Sequence, residues 1–211
     1  MDFIKEGNKV KSETIIKNLQ KRNMEGFYVE TKEEAIEKVM SLINQEDIVG
    51  WGGSFTIDEL GIKQLLEEKG IKVINRDKAT SPEERKKLMK EALTSDVFLT
   101  STNAITMDGE LMNVDGNGNR LAAYNYGPDS LIVVAGMNKV VTKLDDALAK
   151  IRTEATVPNA FRTNSQTPCR VTGKCTECLS DQTLCCQILI TRYSKPKNRI
   201  KVILVGENLG F

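Results

Sequence analysis

The chain contains no histidine. It therefore lacks the side chain that most often acts as a general base near neutral pH, and the imidazole ligands of many metal sites. Acid–base work falls to carboxylates, cysteine, lysine, tyrosine or a bound cofactor. Charge of neither sign prevails: 30 basic residues face 29 acidic ones. That balance argues against a broad nucleic-acid surface. No apolar run is long enough to span a bilayer, and Met1–Val10 (MDFIKEGNKV) has no signal-peptide core. The expected address is the cytoplasm, where stable disulfides are not expected. Cysteine is absent from the first 168 residues; all five fall between positions 169 and 186.

What is present is a strand–helix alternation. An amphipathic helix is read over residues 1–22, with Ile15, Ile16 and Leu19 on one side, followed by a short strand at Gly26–Val29. Thr31 and Glu34 form a capping box for the next helix, which carries Ala35, Ile36, Val39, Met40 and Ile43. Asp47–Trp51 is a β run. Thr56 and Glu59 read as a second capping box, and Gly70 stops that helix. Ile71–Asn75 is a strand, and Ser81-Pro82-Glu83-Glu84 launches a helix to about Leu93. Thr142 and Asp145 start another through roughly Thr153, whereas residues 155–186 show no clear period. Gln187–Tyr193 and Ile200–Val205 read as two strands joined by the basic turn Ser194–Asn198, an antiparallel pair at a mixed edge. The expected fold is α/β, a mostly parallel sheet with helices on both faces. With 211 residues and no repeat or linker, one domain spanning 1–211 is expected, the cysteine-rich segment 155–186 being an insertion within it.

The stretch Val97–Met137 has few charges and is bracketed by two apolar runs, Val97–Leu99 and Leu131–Ala135. Between them lie Gly, Asn, Asp, Ser and Thr, which turn backbone and present hydrogen-bonding groups. It reads as the floor of a small-molecule pocket. Asp108-Gly109 is the turn of a hairpin joining Ala104–Thr106 to Glu110–Val114. Asn103 and the run Asp115-Gly116-Asn117-Gly118-Asn119-Arg120 form the densest polar group. Here Arg120 is placed to hold an anion in a fork and Asp115 to orient a hydroxyl or take a proton. The bland alternative has Asx turns and an Arg120–Asp115 pair. A second polar group, Gly50-Trp51-Gly52-Gly53-Ser54-Phe55-Thr56, sits at a strand-to-helix junction. There the glycines let backbone N–H groups approach an anion, and Ser54 and Thr56 add hydroxyls. A tight turn capped by Thr56 is the alternative. Glu59 either completes that cap or acts as acid, base or carboxylate nucleophile.

The cysteines follow C-x5-C-x2-C-x6-C-C from Cys169 to Cys186. Such spacing can wrap thiolates around zinc or an iron–sulfur cluster, with one of Cys185 and Cys186 spare. Reduced core thiols and a redox disulfide are the alternatives.

As a set, GWGGSFTIDELGI, FLTSTNAITMDGELMNVDGNGNR, the VVAGMNKVV run, TGKCTEC and VILVGENLGF resemble the LUD-domain family of lactate-utilisation proteins. The resemblance implies a fold similar to ribose-5-phosphate isomerase, glucosamine-6-phosphate deaminase and the CoA transferases. It implies a pocket of Gly52, Gly53, Ser54, Asn103, Asp115, Gly118, Asn119 and Arg120, to which the residue reading adds Thr56 and Gly116. It also implies a metal set of Cys169, Cys175, Cys178 and Cys185, holding an iron–sulfur cluster or zinc. The expected role is that of a subunit or accessory protein in oxidation of lactate or a related hydroxy acid. Such a protein binds a small anionic substrate beside iron–sulfur redox partner subunits, and it admits a homo-oligomer. Two other readings remain: an isomerase or transferase acting on a sugar phosphate or CoA thioester, and a metal- or redox-sensing interaction protein.

Overall fold

The computed structural model describes residues 2–211. The first half runs α1 (Phe3–Lys21), β1 (Glu25–Val29), α2 (Lys32–Ser41), β2 (Ile48–Trp51), α3 (Phe55–Glu59), α4 (Ile62–Glu68), β3 (Lys72–Ile74), α5 (Pro82–Glu91) and β4 (Val97–Thr100). The second half runs β5 (Ala104–Thr106), β6 (Leu111–Asp115), α6 (Asn119–Asn125), β7 (Ser130–Gly136), β8 (Val140–Val141), α7 (Leu144–Lys150), α8 (Thr156–Arg162), α9 (Pro168–Thr172), β9 (Gln187–Thr191) and β10 (Ile200–Val205).

The central sheet has six strands in the order β1-β10-β7-β4-β2-β3, and every neighbouring pair is parallel. Its inner strands are apolar at consecutive positions because both faces are covered. Val97, Leu99, Ile132, Val134, Ile203 and Val205 pack on one side with residues of α2, α3 and α4. Phe98, Leu131, Val133, Val202 and Leu204 pack on the other with α1, α6 and the β5–β6 hairpin. Period-two alternation thus sends successive apolar residues to two different cores. The α/β fold with a parallel sheet between helices is as expected.

A smaller mixed sheet, β8-β5-β6-β9, stands against the second face. Its hairpin turns where predicted. Gly109 adopts φ +82° there, and a Cβ would lie 3.0 Å from the Leu19 backbone nitrogen of α1. Only glycine suits both the turn and that close approach.

Three sequence expectations change. The last two strands do not pair with each other: β9 adds antiparallel to β6, whereas β10 enters the central sheet between β1 and β7. The reason is burial, since Val202–Val205 are fully buried on both faces while Ile188 and Ile190 of β9 remain about half exposed. The helix after β2 is capped by Ser54, not Thr56; the Ser54 hydroxyl accepts from the Ile57 N–H. The helix expected over Thr142–Thr153 starts at Leu144 and continues as a wide π turn at Ile151–Ala155 into α8. Pro158 explains the widening, because its ring cannot sit against the carbonyl four residues back in a regular α-helix.

Candidate ligand-binding site

The carboxyl ends of the parallel strands supply the site, as open α/β sheets generally do. From β2 comes the glycine loop, from β3 Arg76, from β4 Ser101 and Asn103, and from β7 the turn Met137–Lys139. They surround a cavity of about 250 Å³, closed on the far side by the π turn, α8 and the Leu184–Cys185 backbone. The two turns far apart in sequence meet here. A Cβ on Gly52 would lie 3.1 Å from Arg120 Cγ, and one on Gly53 would lie 2.9 Å from Arg76 Nη2. The glycine loop is therefore threaded between the aliphatic stem of Arg120 and the guanidinium of Arg76, and a side chain at 52 or 53 would displace one or the other.

Of the predicted ligand residues, Gly53, Ser54, Thr56, Asn103, Asp115, Gly116, Asn119 and Arg120 line the cavity. Gly52 lies behind it against Arg120, and Gly118, at φ +78°, shapes the start of α6 beside Gln187. Arg120 departs from the expected fork. Its Nη1 donates to the Ser101 carbonyl (3.0 Å) and Asn113 Oδ1 (2.6 Å), and its Nη2 donates to Asn103 Oδ1 (2.9 Å) and the Val114 carbonyl (2.6 Å). All four terminal N–H groups are thus spent on protein. Asp115 accepts from the Arg120 backbone N–H at 3.1 Å and lies 3.9 Å from its Nε. The bland reading holds for this pair: Arg120 ties the turn to β4 and β6.

Glu59 is not among the cavity residues. It pairs with Lys32 and accepts from the Gly210 N–H at 2.9 Å. Burial alone would raise its carboxyl, but those two donors outweigh it and hold it below the usual range. A carboxylate so engaged is not free to accept a substrate proton.

The residues that sequence reasoning missed are Arg76 and Lys139. Arg76 is 7% exposed, and its Nε has no hydrogen-bond partner. Asp77 is adjacent but already occupied, accepting from Trp51 Nε1 at 2.9 Å and Lys63 Nζ at 2.7 Å. Its other oxygen stays 3.7 Å from Arg76 Nε, too far to bond. Burial depresses the Arg76 pKa, yet a guanidinium remains charged in protein surroundings. Lys139 is 3% exposed; its Nζ donates to Thr56 Oγ1 and Ser101 Oγ, each at 2.9 Å. Burial, then the nearby Arg120 and Lys150 charges, bring its pKa down to about 7. Both residues follow closely on the carboxyl end of a parallel strand, Arg76 two residues after β3 and Lys139 three after β7, and that position was the available signal. Around the cavity stand Arg76, Arg85, Arg120, Arg162 and Lys139 against the single carboxylate of Asp115. An anion is the complement.

The cysteines stand separately. All five are free. Cys169 Sγ lies 3.2 Å from Thr167 Oγ1, Cys185 Sγ 3.8 Å from Thr156 Oγ1, and Cys178 Sγ within 3.9 Å of the Thr183 and Ser180 hydroxyls. Cys175 Sγ accepts from the Glu177 N–H. Among the described residues no three cysteine, aspartate or glutamate side chains are grouped as metal ligands. The thiols as folded each have a hydroxyl or backbone neighbour. Of the expected metal set, only Cys185 reaches the cavity. No helix among the described residues is long and apolar enough to cross a membrane.

The class so defined is an α/β protein with a parallel sheet and a cationic cavity at its carboxyl edge. The particular family follows from comparison: residues 12–205 match the LUD domain, and the chain belongs to that family. It is 27% identical over 188 residues, 66% of this chain, to Lactate utilization protein B of Oceanobacillus iheyensis, but spans only 39% of that relative's length. The crystal structure of a DUF162 family protein from Deinococcus radiodurans shares the fold, with a TM-score of 0.54 at 15% identity, covering 94% of this chain and 98% of the other. A looser overlap is with ribose 5-phosphate isomerase A from Methanocaldococcus jannaschii (TM-score 0.34, 16% identity, 63% and 62% covered).

Proposed function

We propose that this lactate-utilisation-type protein binds the carboxylate of a small 2-hydroxy or 2-oxo acid in the cavity, with Arg76 as its anion partner. It then serves as a subunit or accessory protein in oxidation of lactate or a related hydroxy acid, working beside iron–sulfur redox partners that carry the electrons. The observation that carries this reading is the Arg76 guanidinium, nine-tenths buried with an unsatisfied Nε and facing the cavity. A buried guanidinium nitrogen without an acceptor costs stability, Asp77 at 3.7 Å offers charge but no hydrogen bond, and an arriving carboxylate supplies acceptors. The family relationship supports an organic acid as the substrate class, since one relative is named for lactate utilisation. Ser54, Thr56 and Asn119 line the same space and offer hydrogen bonds for a hydroxyl or carbonyl oxygen. Asp115 orients that group, and no step is routed through a metal.

Titration calorimetry with lactate and with pyruvate tests this. Arg76→Gln should weaken binding roughly tenfold or more, since hydrogen bonds to a charged group are worth about 1.5–3 kcal/mol. Equal affinity in the variant would remove Arg76 from the site. Tighter binding of a sugar phosphate or CoA thioester than of either acid would favour the isomerase or transferase reading.

A further inference from the structure

Lys139 is more than one cation of the cavity. Its backbone is pinned at the end of β7. Asn138 donates its amide N–H to the Gly210 carbonyl and accepts from the Leu209 N–H. A Cβ on Gly136 would come within 2.7 Å of Asn138 Oδ1, Leu209 N and Glu207 O, so the turn has no slack. This fixes the Lys139 amine at the cavity wall, between two neutral hydroxyls and with no carboxylate bonded to it. A neutral amine has two N–H groups and one lone pair. Thr56 Oγ1 and Ser101 Oγ take the two N–H groups, and the lone pair is left over. Amines buried away from counter-charge lose their proton near neutral pH and become nucleophiles. Here burial and the Arg120 and Lys150 charges act that way, with Glu59 opposing.

Resting on the proposal that Arg76 holds a carboxylate in this cavity, we infer that Lys139 is a catalytic residue that forms an imine with the carbonyl carbon of a bound 2-oxo acid. A 2-oxo acid is the simple ligand that places an electrophilic carbon next to an anion. The Nζ lone pair forms the C–N bond while the carbonyl π pair moves to oxygen. That oxygen takes up the proton released from nitrogen, with the Ser101 and Thr56 hydroxyls as relays, giving a carbinolamine. Loss of one water then leaves the C=N bond. Nothing is oxidised or reduced. The imine holds the keto product of hydroxy-acid oxidation and acidifies the hydrogens on the neighbouring carbon.

The test is to incubate the protein with pyruvate and sodium cyanoborohydride, then digest it and map the adduct by mass spectrometry. In the same sample lacking reductant, saturation-transfer NMR reports whether pyruvate binds. The expected result is one adduct per chain at Lys139, heavier by one pyruvic acid less one oxygen atom, and its loss in Lys139→Gln with unchanged circular dichroism. Mapping the unmodified sequence decides the matter even if that variant fails to fold. Bound pyruvate with no adduct, or adducts spread over surface lysines only, would overturn the imine and leave the carboxylate reading standing. Absence of pyruvate binding would overturn both.

Discussion

Arg76 and Arg120 press on adjacent glycines of one loop, yet the molecule uses them in opposite ways. Arg120 gives every terminal N–H to backbone carbonyls and asparagine side chains and welds β4, β6 and the Asp115 turn together. Arg76 is equally buried but keeps an unpaired Nε because Trp51 and Lys63 have already claimed Asp77. The lesson is that burial of a guanidinium does not define its role; the count of donors left over does.

The contrast makes measurable demands. Arg120→Ala should be the most damaging substitution. It strands several buried acceptors, at a cost of about 3–5 kcal/mol, seen as a large fall in the urea midpoint. A midpoint close to that of the parent would dissolve the distinction between the two arginines. Lys139→Met should abolish a pH dependence. With a folded pKa near 7 against 10.5 in the open chain, the unfolded state binds more protons between those values. Stability therefore climbs as pH rises through that window, by up to about 1.4 kcal/mol per unit, and is flat in this respect below it. Paired urea titrations at pH 7 and 9 check it: the parent should gain stability relative to the variant as pH rises, and no relative gain would remove the buried amine as its source. Arg76→Gln should hardly destabilise, within about 1 kcal/mol of the parent and of either sign, because the guanidinium removed has an Nε without a hydrogen bond and only a loose ion pair, 3.7 Å from Asp77. A loss comparable to that of Arg120→Ala would show that Arg76 is structural after all. The smallest effect is reserved for the cysteine wall. Because only Cys185 of the four expected metal ligands reaches the cavity, treatment with a chelator should leave pyruvate affinity unchanged in calorimetry; a loss would tie a metal to the pocket.

Some of this was readable in advance because local rules suffice. The Ser81-Pro82-Glu84 start does as its residues dictate, the serine hydroxyl accepting from the Glu84 N–H at 3.1 Å. Asp108-Gly109 turns the hairpin, with Gly109 at φ +82°. The glycine loop and the Asp115 turn were singled out correctly as partners across the cavity. Thr56 and Glu59 misled because a Ser two residues earlier caps the helix equally well. That leaves the Thr56 hydroxyl free to accept from Lys139.

Composition and spacing by themselves determined the α/β class, the polar stretch that lines the site and the clustering of thiols, since these depend on propensities and periods internal to short segments. Only the tertiary structure decided which strand β10 joins, that Arg120 is spent, and that Arg76 and Lys139 share its cavity. Strand partners follow from how many faces must be hidden. A side chain's free donors and lone pairs follow from how the folded chain aims its neighbours, from 6 residues away for Arg120 to 83 for Lys139, and no propensity or period states that.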